Sequence, residues 1–136
     1  AIELHGNLWR ARCLADGRIL DLLDSPLSCL PPRCACGGLL RPDVVWFGEA
    51  LPSDAIRQAY DAAETCDVLL VVGTSALVQP AATLPRIAKA HGAYLVEVNL
   101  EPTPLSDIAD ESHHGQAGQI LPALIGMPPT GSEMRC

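Results

Sequence analysis

The chain has 136 residues, which suits one domain or one small domain with an inserted module. Its 9 basic and 16 acidic residues give a formal net charge of −7, which argues against a nucleic-acid partner held mainly by phosphate contacts. No apolar run approaches the ~18 residues needed to span a bilayer, and no basic-then-apolar leader pattern opens the chain, so we expect a cytoplasmic protein with no membrane partner.

The N-terminal part of the chain contains a cysteine-rich segment. Residues 1–12 read as a loop that enters a short strand, and residues 13–40 are rich in Cys, Pro and Gly with weak apolar periodicity. Four of the six cysteines lie between Cys13 and Cys36. In a cytosolic chain, clustered thiols indicate metal ligands before disulfides. A segment this short cannot build its own core, so we expect a metal ion to hold it together.

The rest of the chain alternates between predicted strands and helices. Residues 44–47 read as a short strand or extended segment, with Pro42 just before it, where a missing N–H is tolerated. Ser53 is a good N-cap for a helix over 54–65. The apolar run 68–72 lacks alternation, which predicts a strand covered on both faces of a parallel sheet.

The same alternation continues toward the C-terminus. A helix over 81–91 would hold Pro85 in its first turn and end at Gly92, and residues 94–98 form a second apolar strand. The prediction is completed by three shorter pieces: a helical segment near 106–111, a last helix at 116–125 and a frayed tail at 127–136. The order of elements predicts an α/β sheet with right-handed crossovers.

Two loops that follow predicted strands carry candidate binding groups. Gly73-Thr74-Ser75 follows the first apolar strand, and Asn99-Leu100-Glu101 follows the second. Ligands of open α/β sheets bind beyond the carboxyl ends of the strands, where glycine permits close approach and polar side chains can bind phosphate or ribose. Each pattern taken alone is also explained by an ordinary turn or a solvated carboxylate.

His5 is a candidate acid–base residue. An imidazole side chain can accept a proton from a hydroxyl group and so act as a general base. From spacing alone, a lone histidine near a terminus is more often a structural or solvent-exposed side chain.

Two stretches together resemble one protein family. Glu3-Leu4-His5-Gly6 and the run GGLLRPDVVWFGE over 37–49 are similar to the sirtuins, the NAD-dependent protein deacylases, and the resemblance extends from about Ile2 to about Ile125. It implies an α/β fold, the C-terminal part of a Rossmann-like parallel sheet with a small zinc-type cysteine module. The implied domains are a catalytic-loop remnant and entry strand at 1–12, a zinc-type module at 13–40, a partial NAD-binding domain at 41–126 and a tail at 127–136.

The resemblance also implies roles for individual residues. His5 would be the catalytic base, and 44–49 would be a substrate strand that pairs with an acyl-lysine peptide, with Trp46 and Phe47 walling the acyl-lysine tunnel. Phe47 alone could equally be a core aromatic. The implied NAD contacts are Gly73, Thr74, Ser75, Asn99, Leu100, Glu101 and Ala117; the implied substrate residues are Val44, Val45, Trp46, Phe47, Gly48 and Glu49. The implied reaction removes acetyl or succinyl groups from protein lysines and yields nicotinamide and O-acyl-ADP-ribose.

The cysteine module departs from the family pattern. Cys13, Cys34 and Cys36 lie where sirtuins carry a structural Zn²⁺ held by four thiolates, but Asp16 stands in place of one cysteine. The second pair has one intervening residue, tighter than the usual two to four. Asp16 or Cys29 could complete a tetrahedral site, or the metal could be weakly held or lost.

Other sirtuin motifs do not occur in these 136 residues. The family's Gly-Ala-Gly loop, its acidic-Phe-Arg loop and its Gln-Asn-Ile-Asp motif all precede the histidine, and none is found here. We therefore expect the C-terminal portion of a deacylase, with little or no activity by itself. The alternative is a non-catalytic module that binds a nucleotide or a protein partner. The sequence of residues 33–49 is most similar to that of sirtuins that remove succinyl and other acidic acyl groups.

Overall fold

The computed structural model describes residues 1–22 and 25–126, so the predicted tail at 127–136 lies outside the described residues. The chain divides into two compact units, an N-terminal unit (Ala1–Ile56) and a C-terminal unit (Arg57–Cys136). In chain order the elements are β1 (Gly6–Cys13), β2 (Ile19–Asp21), β3 (Leu40–Val44), α1 (Ser53–Thr65), β4 (Val68–Val72), a 3₁₀ turn (Ala81–Thr83), α2 (Leu84–Ala90), β5 (Tyr94–Asn99), β6 (Glu111–His114) and α3 (Ala117–Leu124). Within the described part of the chain, every helix is too short or too polar for a bilayer crossing.

The N-terminal unit is built on an antiparallel sheet of order β2-β1-β3. Gly6 begins the central strand opposite Val44, with a positive φ of 77°. A Cβ atom at this position would lie 2.0 Å from the carbonyl oxygen of Asp43, so only glycine lets the two strands approach here. The register shifts between Asn7 and Ala11, and beyond the shift Ala11 pairs with Pro42.

The C-terminal unit contains a parallel sheet of order β4-β5-β6, which confirms the predicted α/β class with a parallel sheet. Helix α2 lies between β4 and β5 in sequence, as a crossover requires. One apolar cluster joins Val71, Leu95 and Leu105, and another joins Ala63, Ala88 and Ala93. The second cluster consists of alanines, one from α1, one from α2 and one just before β5, so small side chains fill this part of the core.

The strand predicted at 44–47 begins and ends earlier in the structure. The strand is β3 and ends at Val44, so most of the predicted segment lies beyond it, and Pro42 is inside the strand rather than before it. Pro42 is tolerated because it sits at the register irregularity opposite Ala11, where a regular ladder bond is not required.

The predicted helical segment near 106–111 is wrong. The chain makes turns there, with Ser106 N–H donating to the Thr103 carbonyl, and strand β6 begins at Glu111. The predicted helix over 81–91 is divided into a 3₁₀ turn and α2, with Pro85 at the start of the α-helix. Proline is suited to that position because its missing N–H would be unpaired in a first turn.

Strand β4 is exposed on one face. Val68, Leu70 and Val72 alternate along the strand and are 52%, 44% and 38% exposed, whereas Val71 is buried. The prediction of a strand covered on both faces is therefore wrong for the described residues. A continuous apolar run does not reveal by itself whether both of its faces are covered in the same polypeptide.

Candidate functional site

The loops that follow the strands of the parallel sheet meet at one rim of the C-terminal unit. Gly73 N–H donates to the Val98 carbonyl at 3.0 Å, which joins the ends of β4 and β5. Gly115 N–H donates to the Asn99 carbonyl at 2.8 Å, which joins the end of β5 to the loop before α3. The predicted NAD contacts at 73–75, at 99–101 and at the start of α3 are thus carried by loops of a single edge.

The side chain of Asn99 joins two of these loops. Its Nδ2 donates to the Thr74 carbonyl at 2.7 Å, and its Oδ1 accepts from the Leu100 N–H at 2.9 Å. Both polar atoms of the amide are therefore hydrogen-bonded within the protein, so the side chain holds the loop after β4 against the end of β5. Leu100 and Glu101 are exposed, so the Glu101 carboxylate remains accessible to a ligand.

Sequence reasoning missed Glu97, whose carboxylate holds the segment that follows β5 by hydrogen bonds. Glu97 is 1% exposed and lies in the central strand β5. Its Oε1 accepts a hydrogen bond from the Thr103 hydroxyl, and its Oε2 accepts from the Ser106 hydroxyl at 2.5 Å and the Ser112 hydroxyl at 3.3 Å. The available signal was a single carboxylate inside an apolar strand, since a buried charge requires dedicated partners.

The N-terminal unit brings the predicted catalytic residue next to the predicted substrate segment. Val45 N–H donates to the His5 carbonyl at 3.0 Å, directly beyond the pairing of Gly6 with Val44. His5 is exposed, so its imidazole can meet a solvent-borne ligand. Residues 5 and 45 are far apart in sequence and become neighbours only because β1 pairs with β3.

The predicted substrate segment ends in a turn closed by Glu49. Its carboxylate accepts from Arg41 Nη1 and Nη2 at 2.6 and 2.8 Å and from the Trp46 N–H at 3.0 Å. Trp46 is 53% exposed and Phe47 is 95% exposed, so the interpretation of Phe47 as a core aromatic is wrong. The turn instead holds two aromatic side chains in solvent, where they could contact a ligand.

Acid is expected to open this turn in a defined pH range. Hydrogen bonds from Arg41 and then from the Trp46 N–H lower the pKa of Glu49 from 4.5 to about 2. A depressed pKa in the folded state adds stability above pH 4.5 that is lost as the pH falls through about 2. In a Trp9→Phe background, the fluorescence of Trp46 should change between pH 4.5 and 2 and should not follow this profile in Glu49→Gln. The same acid profile in both variants would contradict the assignment.

A cavity of about 480 Å³ lies beside the predicted substrate segment and is lined by Val44, Val45 and Glu49 among others. Buried Asp43 accepts from Arg12 Nε and Nη2 at 3.1 and 2.8 Å, and Arg10 Nε lies 3.6 Å from its other oxygen. The arginines of this wall are thus paired with carboxylates, which fixes its shape without leaving a strong net charge.

The third predicted site is a cluster of metal-ligating side chains in the N-terminal unit. One ligand atom each from Cys13, Asp16, Cys34 and Cys36 lies within 4.8 Å of all the others. The sulfurs of Cys13 and Cys36 are 3.5 Å apart, close to the ~3.8 Å separation of two sulfurs bound tetrahedrally to zinc at ~2.3 Å. Cys29 is exposed and lies outside this group in the described part of the chain.

The backbone around the cluster is shaped to keep the sulfurs together. Cys34 N–H donates to the Gly38 carbonyl at 2.8 Å, and this turn faces the end of β1. A Cβ atom on Gly38 would lie 3.0 Å from the Cys13 sulfur and 2.7 Å from the Ala15 Cβ atom, so a side chain there would crowd the site. The donors present therefore suit a structural Zn²⁺.

The sulfurs of the cluster also change the pKa of one another's thiols. The Gly38 N–H favours the Cys36 thiolate, but hydrogen bonding with the Cys13 and Cys34 sulfurs outweighs it and raises the pKa of Cys36 to about 11. A thiol whose ionisation is disfavoured in this way gives up its proton when a divalent cation binds its sulfur.

Comparisons of the sequence and of the structure with known proteins all find members of the same family. The sequence model of the Sir2 family matches residues 1–80. An NAD-dependent protein deacylase 2 from Pyrobaculum aerophilum is 56% identical over 125 residues, covering 91% of this chain and 50% of that protein. A Sir2 homologue solved in complex with NAD superposes with a TM-score of 0.87 at 45% identity, covering 92% of this chain and 49% of that one.

A second solved structure has a peptide ligand. A Sir2 protein bound to a propionylated peptide superposes with a TM-score of 0.76 at 39% identity, covering 84% of this chain and 50% of that one. The chain spans about half the length of the curated relatives it matches.

Proposed function

This chain belongs to the Sir2 family, and from that premise we propose that it carries the C-terminal part of an NAD-dependent protein-lysine deacylase. The deacylase would remove acetyl or succinyl groups and release nicotinamide and O-acyl-ADP-ribose. The observation that carries the proposal is the 3.0 Å hydrogen bond from Val45 N–H to the His5 carbonyl, which holds an exposed histidine beside an extended segment ending in exposed aromatic residues.

The proposed roles follow from the chemistry of the groups. NAD, when bound, supplies the ribose carbon that takes up the acyl oxygen. His5 would accept a proton from a ribose hydroxyl, since a neutral imidazole nitrogen can act as a general base. The main chain of 44–49 pairs with an extended peptide, and Trp46 and Phe47 enclose the acylated side chain and exclude water.

The rim of the parallel sheet would hold the nucleotide. Its loops contain the residues we propose as NAD contacts: Gly73, Thr74, Ser75, Asn99, Leu100, Glu101 and Ala117. The two backbone hydrogen bonds that tie Gly73 and Gly115 to the end of β5, and the bond from Asn99 to the Thr74 carbonyl, support this assignment, since a preformed rim loses little entropy when a ligand binds. In the cysteine module, Cys13, Cys34 and Cys36 would hold a structural Zn²⁺ that replaces the missing core of that segment.

A non-catalytic module that binds a nucleotide or a protein is the second candidate function. It is retained because the matched region is about half the length of the relatives, and half a cofactor pocket would not set the reaction geometry. We propose that residues 1–136 by themselves release little nicotinamide from NAD and an acetyl- or succinyl-lysine peptide.

The two candidates are separated by supplying the N-terminal half of a relative. A chimera would join the N-terminal half of the Pyrobaculum aerophilum relative to residues 1–136. The deacylase proposal expects nicotinamide release from the chimera, a loss of ~100-fold or more in its His5→Asn variant, and little change in a His91→Asn control. A folded chimera that binds NAD without turnover would favour the non-catalytic module, and turnover by residues 1–136 comparable to an intact relative would refute their predicted inactivity.

Nucleotide binding is tested separately with ADP-ribose. In a ¹⁵N amide titration of the chain, we expect shifts concentrated at 73–75, 99–101 and 117. Shifts confined to the N-terminal unit would contradict the proposed rim.

A further inference from the structure

We propose that Asp16 is the fourth ligand of the metal centre, which makes it a three-thiolate, one-carboxylate site, and that Arg18 is the residue that positions this carboxylate. The inference rests on the metal-binding part of the proposed function and is independent of deacylation. It selects between Asp16 and Cys29, which the sequence leaves open.

The fold of the loop after β1 brings Asp16 to the cysteines. Cys13 N–H donates to the Arg18 carbonyl at 2.8 Å, and Gly17 N–H donates to the Cys13 carbonyl at 3.0 Å. Gly17 has a positive φ of 72°, which lets the chain reverse tightly. The reversal places a carboxylate oxygen of Asp16 within 4.8 Å of all three sulfurs.

Arg18 fixes the orientation of that carboxylate. Its Nε donates to Asp16 Oδ2 at 2.7 Å, and its backbone N–H donates to Oδ1 at 3.1 Å. A carboxylate oxygen has more than one acceptor site, so an oxygen that accepts one hydrogen bond retains a lone pair for a metal ion. An outer partner of this kind typically orients a ligand and affects metal affinity.

Charge balance supports the same arrangement. A divalent cation with three thiolates and one carboxylate has a net charge of −2, which the guanidinium of Arg18 reduces to −1. The guanidinium is also near a sulfur, with Nη2 4.0 Å from Cys34 Sγ. Arg18 therefore touches both a thiolate ligand and the carboxylate ligand, as expected of a group that neutralises the occupied site.

The donor set has a chemical consequence. Zinc accepts carboxylate oxygen as well as sulfur and nitrogen, whereas softer ions favour sulfur alone. Replacing one thiolate with a carboxylate should thus weaken the preference for soft ions relative to an all-cysteine site, and restoring the thiolate should strengthen it.

The test uses Zn²⁺ and Co²⁺ with the purified chain. Zn²⁺ affinity is measured by competition with a chromophoric chelator, and the sulfur-to-cobalt charge-transfer band reports the number of bound thiolates. We expect Asp16→Ala to lower Zn²⁺ affinity ~100-fold or more and Arg18→Ala to lower it ~10–100-fold. Asp16→Cys should raise the charge-transfer band by about one third, since a fourth thiolate joins three.

The matched controls separate the possible failures. Cys29→Ser should leave both Zn²⁺ affinity and the cobalt spectrum unchanged. Loss of affinity in Cys29→Ser, or wild-type affinity in Asp16→Ala together with an unchanged cobalt band in Asp16→Cys, would overturn the assignment of Asp16. If Cys34→Ser also keeps wild-type affinity, the metal centre itself is refuted; if Cys34→Ser loses affinity, only the role of Asp16 fails.

Discussion

Glu97→Ala is expected to lower the free energy of unfolding by about 3 kcal/mol, because it removes a buried carboxylate that three hydroxyl groups bind. The hydroxyls of Thr103 and Ser106 would lose their acceptor, and a cavity would remain in β5. Glu97→Gln keeps the shape and one acceptor oxygen, so we expect a smaller loss of about 1 kcal/mol. Urea unfolding followed by circular dichroism measures both values.

A local measurement distinguishes the loss of the Glu97 hydrogen bonds from a general destabilisation of the protein. The Leu105 N–H donates to the Thr103 hydroxyl at 3.1 Å, and this hydroxyl is in turn bound to Glu97. In Glu97→Ala, hydrogen exchange at Leu105 should therefore accelerate more than exchange in helix α1. Ser112→Ala, which removes only the longest of the three bonds, should cost about 0.5 kcal/mol. Equal losses of unfolding free energy in Ser112→Ala and Glu97→Ala would refute the claim that Glu97 holds the segment around Thr103 and Ser106.

Asp43→Ala is expected to destabilise the N-terminal unit by about 2 kcal/mol. The substitution leaves two guanidinium groups, Arg10 and Arg12, beside each other without their buried acceptor. The figure is below that of a fully buried pair because the arginine side chains are 36% and 48% exposed. Asp43 also precedes Val44, so the loss should loosen the strand that leads into the proposed substrate segment.

The control for Asp43 is an exposed ion pair of the same unit. Glu3 and Arg10 approach to 2.5 Å, but both side chains are more than one third exposed. Glu3→Ala should therefore cost ~0.5 kcal/mol or less. Chemical denaturation of both variants tests the difference, and an effect of Glu3→Ala as large as that of Asp43→Ala would contradict the importance of burial.

Several elements were readable from the sequence because their local signals are strong. The strand over 68–72 was predicted with the bounds that β4 has, and the helix beginning after Ser53 was predicted to within one residue of α1. An unbroken apolar run favours a strand of a parallel sheet, and Ala59 and Ala63 repeat at the helical spacing on the buried face.

Strand β6 was not readable for a physical reason. Its four residues, Glu111 to His114, are all polar, so they show no apolar periodicity. They form a strand because the parallel edge of β5 offers hydrogen-bonding partners. The Asp110 carboxylate also accepts from the Leu95 N–H at 2.7 Å, which fixes where the pairing starts. Such a strand is specified by its neighbour rather than by its own composition.

The sequence by itself determined the α/β class, the family and the residue types available for chemistry, because apolar runs, turn residues and short motifs are local properties of the chain. Only the tertiary structure decided which distant residues meet. Pairing of β1 with β3 brings His5 to Val45, and a tight reversal at Gly17 brings Asp16 rather than Cys29 to the cysteines. The burial of Glu97 was likewise settled by the fold, since the hydroxyls that bind it come from later parts of the chain.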